Sequence, residues 1–389
     1  MIHRICNIPI LTSFFLFGPR QTGKTTLINQ FLKDKNHWSI DLLERSTYMR
    51  YLVSPEQFYK EALHNIRNNN PDYIFIDEIQ KIPSLLDEVQ RLMQNTNKVF
   101  ILTGSSARKL KRSNANLLGG RATERHIYPL CINELGNDIN LSDILHYGTL
   151  PSIALEPSID KRIDLLNAYV SIYLTEEIQQ ESLVRNLPGF VNFLEIAAQQ
   201  SGELLNYSNI ARDIGLQART VQTYYDILSD TLIGLKLPAY NRSARKRLRN
   251  TPKYYLFDIG IINALERQLR SEPDVNRFGK LFEHFIILES DRLAHYLSPD
   301  ARLYFWHTLD DKEVDLLIEN KGKIIAAIEI KSSTKVSLNY LSGLKAFASY
   351  YPDVPRYVVA RVPESYSENG ITILTWQQYL DQLCEWLKE

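Results

Sequence analysis

Three cysteines, Cys6, Cys131 and Cys384, are all that 389 residues contain. Their odd number argues against a disulfide framework and their wide spacing against a zinc site, which fits a reducing cytoplasm. Charge excess is also absent: 45 basic residues balance 45 acidic ones, so no global field draws the chain to nucleic acid or to an anionic membrane. Any such attraction has to be local. No stretch approaches the roughly 20 apolar residues of a spanning helix. The apolar run between Arg4 and Phe17 mimics a secretion signal, but it contains Pro9, lacks a small-residue cleavage site and leads straight into Gly18. Its last residues read as a buried strand. No membrane partner is expected, and internal repeats and low-complexity segments are missing. What remains is a composition of ordinary soluble type, 44% hydrophobic and 23% charged, in a chain long enough for two or three domains.

Up to about residue 135, short apolar runs alternate with helical patterns: Phe14 to Phe17, Trp38 to Leu42, Tyr73 to Ile76, Val99 to Leu102, then Ile127. That rhythm predicts a parallel α/β sheet. Gly148 and Pro151 break it, and the next hundred residues read as mostly helical. Between Leu187 and Tyr240, three amphipathic patterns with Gly215 and Gly234 at their breaks predict a helix-turn-helix unit. Ser208 is expected to cap its first helix, and Thr220-Val221 to open its second. Val221, Tyr225 and Leu228 would then share a buried face, leaving Gln217, Arg219, Gln222 and Thr223 for solvent or DNA. Two readings stand, a DNA reader and a packing module. Arg242, Arg245, Lys246, Arg247 and Arg249 form the densest basic cluster, either a phosphate-binding wing or a solvated loop. Beyond Gly279, a helix precedes two strand-like runs, Glu313 to Ile318 and Lys323 to Lys331, joined at Lys321 and Gly322. Three domains follow, at 1–150, 151–265 and 266–389.

Gly18-Pro19-Arg20-Gln21-Thr22-Gly23-Lys24-Thr25 fits the P-loop pattern and lies where it must, between an apolar strand and a helix. Backbone N–H groups of such a loop wrap phosphate oxygens at a positive helix N-terminus. Lys24 would contact the β- and γ-phosphates, and Thr25 would be a Mg²⁺ ligand, with Thr26 beside it. Asp72 to Glu78 is an apolar strand ending in two carboxylates. Asp77 would hold Mg²⁺ through water, and Glu78 would orient and deprotonate the attacking water. The strand Val99 to Leu102 ends in Thr103-Gly104-Ser105-Ser106, where Ser105 reads either as a γ-phosphate sensor or as a helix cap. Arg121, after Gly119-Gly120, could reach its own or a neighbouring subunit's nucleotide, which would make turnover depend on homo-oligomer formation; Arg108 and Arg125 compete for the role.

Glu313-Val314-Asp315 and Ile328-Glu329-Ile330-Lys331 form a second constellation. Should the turn pair Asn320 with Ile324, Asp315 falls opposite Glu329, and two carboxylates so placed repel unless something positive lies between them. A divalent cation would fit there, and so would Lys331 acting alone as neutraliser.

The order and spacing of these motifs resemble the predicted AAA-type ATPases of bacteria and archaea known as AAA family fourteen, with a C-terminal domain of unknown function numbered 4143. The likeness rests on Gly18 to Thr25, Phe75 to Pro83, Leu102 to Ser106, Gly120-Arg121 with Tyr128-Pro129-Leu130, Tyr147-Gly148 with Leu150-Pro151, Pro252 to Asp258, Gly279 to Glu283, and the Glu313 and Glu329 segments. His307 departs from it, since members more often carry arginine there. The resemblance implies an N-terminal P-loop AAA-like parallel sheet, a helical winged-helix-like middle and a C-terminal α/β nuclease-like fold. The last looks like the PD-(D/E)xK core, in which Asp315, Glu329 and Glu283 would bind a divalent metal and Lys331 would polarise the hydrolytic water. The expected function is a Mg-ATP-dependent ATPase coupled to a nuclease-like domain, acting on DNA or in a defence-related process. The alternative is an ATP-switched DNA-binding regulator, or a protein-interaction ATPase with an inactive nuclease fold.

Overall fold

The computed structural model of the chain describes residues 2–108, 110, 118–136, 140–174, 187–241, 251–308, 310–337, 339 and 341–388. The basic cluster at Arg242, Arg245, Lys246, Arg247 and Arg249 lies outside the described residues. Two compact units are present, Met1–Leu130 with Ile227–Ile233, and Cys131–Asp226 with Gly234–Glu389.

The first unit carries strands β1 (Phe14–Phe17), β2 (His37–Asp41), β3 (Tyr73–Asp77), β4 (Val99–Gly104) and β5 (Thr123–His126). All pair in parallel, in the order β2-β3-β4-β1-β5. Parallel neighbours need crossovers, which helices α1 (Lys24–Leu32), α2 (Arg45–Val53), α3 (Pro55–Asn69) and α4 (Leu85–Asn95) provide. Every residue of β1 and β3 is buried, which is why these strands read as unbroken apolar runs. Phe15, Phe17, Ile74, Ile76, Phe100 and Leu102 pack with Leu85, Val89 and Leu92 of α4, each large side chain contributing about 1.5–3 kcal/mol. Because β4 lies between β1 and β3, the ends of those two strands stand one strand apart, with the end of β4 between them.

The second unit begins with α5 (Ile132–Leu135), α6 (Leu141–Tyr147), α7 (Pro151–Ala154) and α8 (Ile159–Ala168), which continues as a π-helical turn at Tyr169–Leu174. Next come α9 (Leu187–Gln199), α10 (Tyr207–Asp213) and α11 (Ala218–Asp230), with Gly215 left-handed (φ 66°) between the last two. The cap of α10 is Asn206, whose side chain accepts the Asn209 N–H at 3.0 Å; Ser208 falls inside the first turn. Helix α11 opens at Ala218, two residues before the expected Thr220. Val221, Tyr225 and Leu228 are fully buried, while Gln217, Arg219 and Gln222 are exposed. The Thr223 hydroxyl donates to the Arg219 carbonyl at 2.9 Å.

Strands β6 (Gly234–Leu237) and β7 (Lys253–Leu256) form an antiparallel pair. Only glycine fits at 234, since a Cβ there would stand 1.7 Å from the Tyr254 hydroxyl oxygen. After α12 (Ile259–Leu265) and the long α13 (Val275–Leu297) come β8 (Arg302–His307), β9 (Glu313–Asn320), β10 (Lys323–Lys331), α14 (Ser342–Tyr350), β11 (Arg356–Ala360), β12 (Tyr366–Glu368), β13 (Ile371–Thr375) and α15 (Trp376–Lys388). The six strands make one mixed sheet in the order β12-β13-β11-β10-β9-β8. Lys321 and Gly322, both left-handed (φ 50° and 77°), make the tight turn between β9 and β10.

A buried polar network ties α13 to three distant segments. Arg292 donates through Nη1 to Thr149 Oγ1 (2.9 Å) and Glu289 Oε1 (3.1 Å), and through Nη2 to the Phe257 carbonyl (2.8 Å). Glu289 Oε2 accepts the Ile132 N–H at 2.8 Å. Asp258 caps α12 and accepts the Thr149 N–H at 2.8 Å, leaving no room for a Cβ at Gly148. Breaking one partner of such a buried pair costs about 3–5 kcal/mol. Burial pushes the Glu289 carboxyl up to about 7 from its ordinary 4.5, against the opposing pull of Arg292. A raised acid stabilises the fold below its unfolded value and loses that contribution as pH rises through its folded value. The stability difference between wild type and Glu289→Gln, read by denaturant unfolding, should therefore decline as pH rises from about 4.5 to about 7. A difference that stays flat across that window contradicts this.

Candidate functional site

The loop leaves β1 at Gly18, bends through Gln21 (φ 62°) and Gly23 (φ 89°), and enters α1 at Lys24. Gly18 is required by a close approach: a Cβ would meet the Ile127 carbonyl oxygen at 2.3 Å. Gly18 and Pro19 are buried, Arg20 and Gln21 half-buried, and Thr26 exposed. Thr22 is fully buried, and its hydroxyl donates to the Pro19 carbonyl at 2.8 Å. Lys24, only 5% exposed, turns its ammonium back into the loop and donates to the carbonyls of Gly18 (2.8 Å) and Pro19 (3.0 Å). An ammonium held over a bend that opens onto a helix N-terminus presents both a point charge and backbone dipole to an anion.

Across the end of β4, the Thr25 hydroxyl donates to Asp77 Oδ2 at 2.7 Å. The Thr103 hydroxyl donates to Asp77 Oδ1 and accepts the Glu78 N–H at 3.2 Å. A hydroxyl and a carboxylate oxygen so close are the donor types a hard divalent cation takes. Glu78 sits in the left-handed region (φ 60°), unusual for a side chain of its size and a strain that recurs at functional sites. Its Oε2 accepts from Gln80 Nε2 at 2.5 Å, and the same amide reaches Ser105 Oγ at 3.4 Å. Gly104 makes space for Gln80, whose Oε1 would lie 2.6 Å from a Cβ there. Lys24, Thr25, Asp77, Glu78 and Ser105 therefore converge on the ends of β1, β3 and β4. Arg121 is exposed on a turn of left-handed residues, Leu118, Gly119 and Gly120, and joins none of these bonds among the described residues. Arg108 pairs with Asp230, and Arg125 Nη1 donates to the Glu124 carbonyl at 2.8 Å.

The second constellation gathers in the second unit. The β9–β10 turn pairs Asn320 with Lys323, one residue off the expected register, and a bulge between Ile324 and Ala326 then shifts it. Past the bulge Leu316 faces Ile328, and the continued register sets Asp315 across from Glu329. Asp315 Oδ2 accepts the Ile330 N–H at 2.6 Å, and Lys331 Nζ donates to Glu329 Oε1 at 2.7 Å. Among the described residues, Glu329 Oε2 is buried without a hydrogen-bond partner. Burial, with Glu329 and Glu283 nearby, holds the Asp315 carboxyl well above the usual range; burial raises Glu329 too, opposed by Lys331. Glu283, from α13, is turned elsewhere: its Oε1 accepts from the Tyr255 hydroxyl (3.0 Å) and Lys253 Nζ (3.4 Å), both on β7. Among the described residues, no three acidic, histidine or cysteine side chains stand as a metal ligand set. His307 pairs with Glu313 across β8 and β9, so the departure from the family pattern falls at the rim of this cluster.

Residues 12–136 match the family model of an AAA domain. Residues 138–272 match a domain of unknown function (DUF8612), and residues 278–379 another (DUF4143). An uncharacterised protein of Mycobacterium tuberculosis is 26% identical over 329 residues, covering 83% of this chain and 71% of that one. An uncharacterised Haemophilus influenzae protein is 25% identical over 351 residues, covering 83% and 84%. One from Methanocaldococcus jannaschii is 22% identical over 357 residues, covering 82% and 75%. A solved structure of the replication initiator DnaA bound to AMPPCP and single-stranded DNA overlaps with a TM-score of 0.27 and 13% identity, over 68% of this chain and 89% of that one. No helix among the described residues is long and apolar enough to cross a membrane.

The AAA domain holds groups that sequence reasoning left out. Gln80 stood inside the quoted Phe75 to Pro83 motif, and its amide between Glu78 and Ser105 was the missed signal. Arg4 bridges the Thr22 carbonyl (2.8 Å) and the Tyr128 carbonyl (2.7 Å), holding the loop of the AAA domain to the chain beyond β5. Nothing in the sequence near Arg4 announces that contact, which spans 124 residues. Gly18→Ala is expected to lower the stability of the AAA domain by about 1–3 kcal/mol, because the new methyl meets backbone that cannot give way. A thermal melt unchanged from wild type contradicts the tight approach at Ile127.

Proposed function

We propose that the chain is a Mg-ATP-dependent ATPase coupled to a nuclease-like C-terminal domain that acts on DNA. The observation that supports this best is the hydrogen bond between Thr25 and Asp77 beside the Lys24 loop. In this reading Gly18 to Thr26 bind ATP, Lys24 neutralises the β- and γ-phosphates, and Thr25 and Asp77 hold Mg²⁺, which supplies charge stabilisation to the transferring phosphoryl group. Glu78 takes the proton of the attacking water, held in place by Gln80. Ser105 senses the γ-phosphate. Arg121 acts in trans within a homo-oligomer, in keeping with its exposure on the glycine turn. The functional divisions are 1–150, 151–265 with a winged-helix-like part, and 266–389, in a cytoplasmic protein.

At the C-terminal site, Asp315 and Glu329 hold a divalent metal, and Lys331 polarises the water for phosphodiester hydrolysis. The partnerless Glu329 Oε2 favours this. The hold of Tyr255 and Lys253 on Glu283 favours a second reading, an AAA ATPase whose nuclease-like fold binds without cleaving.

Lys24→Ala is expected to abolish nucleotide binding, and Glu78→Gln to keep binding while turnover falls by about 10² or more. Equal turnover in wild type and Glu78→Gln removes Glu78 from its role. Manganese-dependent DNA cleavage by wild type, lost in Glu329→Ala, supports the nuclease; no cleavage by wild type under any divalent metal supports the second reading.

A further inference from the structure

We propose that Lys253 is the resident counter-ion of the C-terminal acidic site, holding Glu283 and Glu313 off Asp315 and Glu329 so that the site takes a single divalent cation. This rests on the reading of Asp315 and Glu329 as a cation site. Lys253 reaches the cluster from β7, and its side chain is 8% exposed. Its ammonium lies 2.5 Å from Glu313 Oε1 and 3.4 Å from Glu283 Oε1. Tyr255, two residues on and therefore on the same face of the strand, donates to the same Glu283 oxygen at 3.0 Å. Both acids are thus engaged from the β7 side. Glu329 Oε2 is buried and meets no donor among the described residues, although Lys331 serves the other oxygen of that carboxylate.

Charge counting points the same way. Glu283, Glu313, Asp315 and Glu329 bring four carboxylates, and Lys253 and Lys331 bring two ammonium groups. Full ionisation leaves two negative charges, the complement of one divalent ion and not of two. The pair with an open oxygen is Asp315 and Glu329, so the ion belongs there. Lys253 lies in the stretch matched as DUF8612, while all four acids lie in the stretch matched as DUF4143. The site is therefore completed by a residue from outside the C-terminal domain, and Lys253 sets how many acids a metal can reach.

The test uses the full chain in an Asp77→Asn background without nucleotide, so that the P-loop does not contribute a metal site. Mn²⁺ binding is read by calorimetry and by electron paramagnetic resonance, and folding by circular dichroism. The parent should bind one Mn²⁺, lost in Glu329→Gln. Lys253→Met should bind Mn²⁺ about tenfold tighter or take a second ion, because freed carboxylates raise the ligand charge. Lys253→Arg should keep the parental count. A folded Lys253→Met with parental or weaker binding overturns the proposal. Should that variant not fold, Glu313→Gln decides: one Mn²⁺ still bound, at whatever affinity the lower charge leaves, supports the proposal, and loss of that ion makes Glu313 a ligand and overturns it. A parent that binds no Mn²⁺ defeats the cation reading itself, a failure distinct from that of Lys253.

Discussion

A single hydrogen bond, Thr25 to Asp77, joins residues 52 apart and fixes the relation of the P-loop to the acidic end of β3. β4 lies between β1 and β3, and Thr25, in the first turn of α1, reaches across the end of β4 to Asp77. Everything else at that site is arranged around this bond. Thr103, at the end of β4, donates to the other oxygen of Asp77 and accepts from the Glu78 backbone, so the strand that separates the two motifs also holds them. The left-handed Glu78 then turns its side chain to Gln80. Strain there is tolerated because the buried strand beneath it is unable to shift.

The second unit is organised by a different constraint, charge that must be matched where water is scarce. Arg292 and Glu289 on α13 satisfy backbone groups at Ile132 and Phe257, and Asp258 satisfies Thr149. Glycine at 148 follows both from that packing and from its own left-handed φ of 72° at the end of α6. The acidic cluster farther along the sheet obeys the same rule less completely, since among the described residues Glu329 keeps a buried oxygen without a partner. The first cluster is matched throughout; the second keeps one carboxylate oxygen unmatched among the described residues.

Much of this was legible in the sequence. The P-loop and the Asp77-Glu78 strand end were plain because a phosphate cradle needs glycine at fixed positions, and a central parallel strand needs an unbroken apolar run. The β9–β10 turn was equally plain, since Gly322 suits a left-handed residue between two apolar runs. Its register was not, because a β-bulge between Ile324 and Ala326 has no residue signature. The cap at Asn206 was misplaced to Ser208 because both residue types cap helices and only the backbone decides between them. Arg4 and Lys253 were missed because each acts through long-range contact, of which sequence spacing carries no trace; Gln80 was missed although it stands two residues from Glu78, because only the left-handed backbone at Glu78 turns the two side chains together.

The most direct test of the nucleotide site is calorimetric titration of the purified chain with a non-hydrolysable ATP analogue, with and without Mg²⁺, on wild type and Thr25→Val. One analogue per chain is expected to bind wild type, more tightly with Mg²⁺ than without, and Thr25→Val should lose that metal dependence. No uptake by wild type, or a metal dependence that survives in Thr25→Val, would contradict the account.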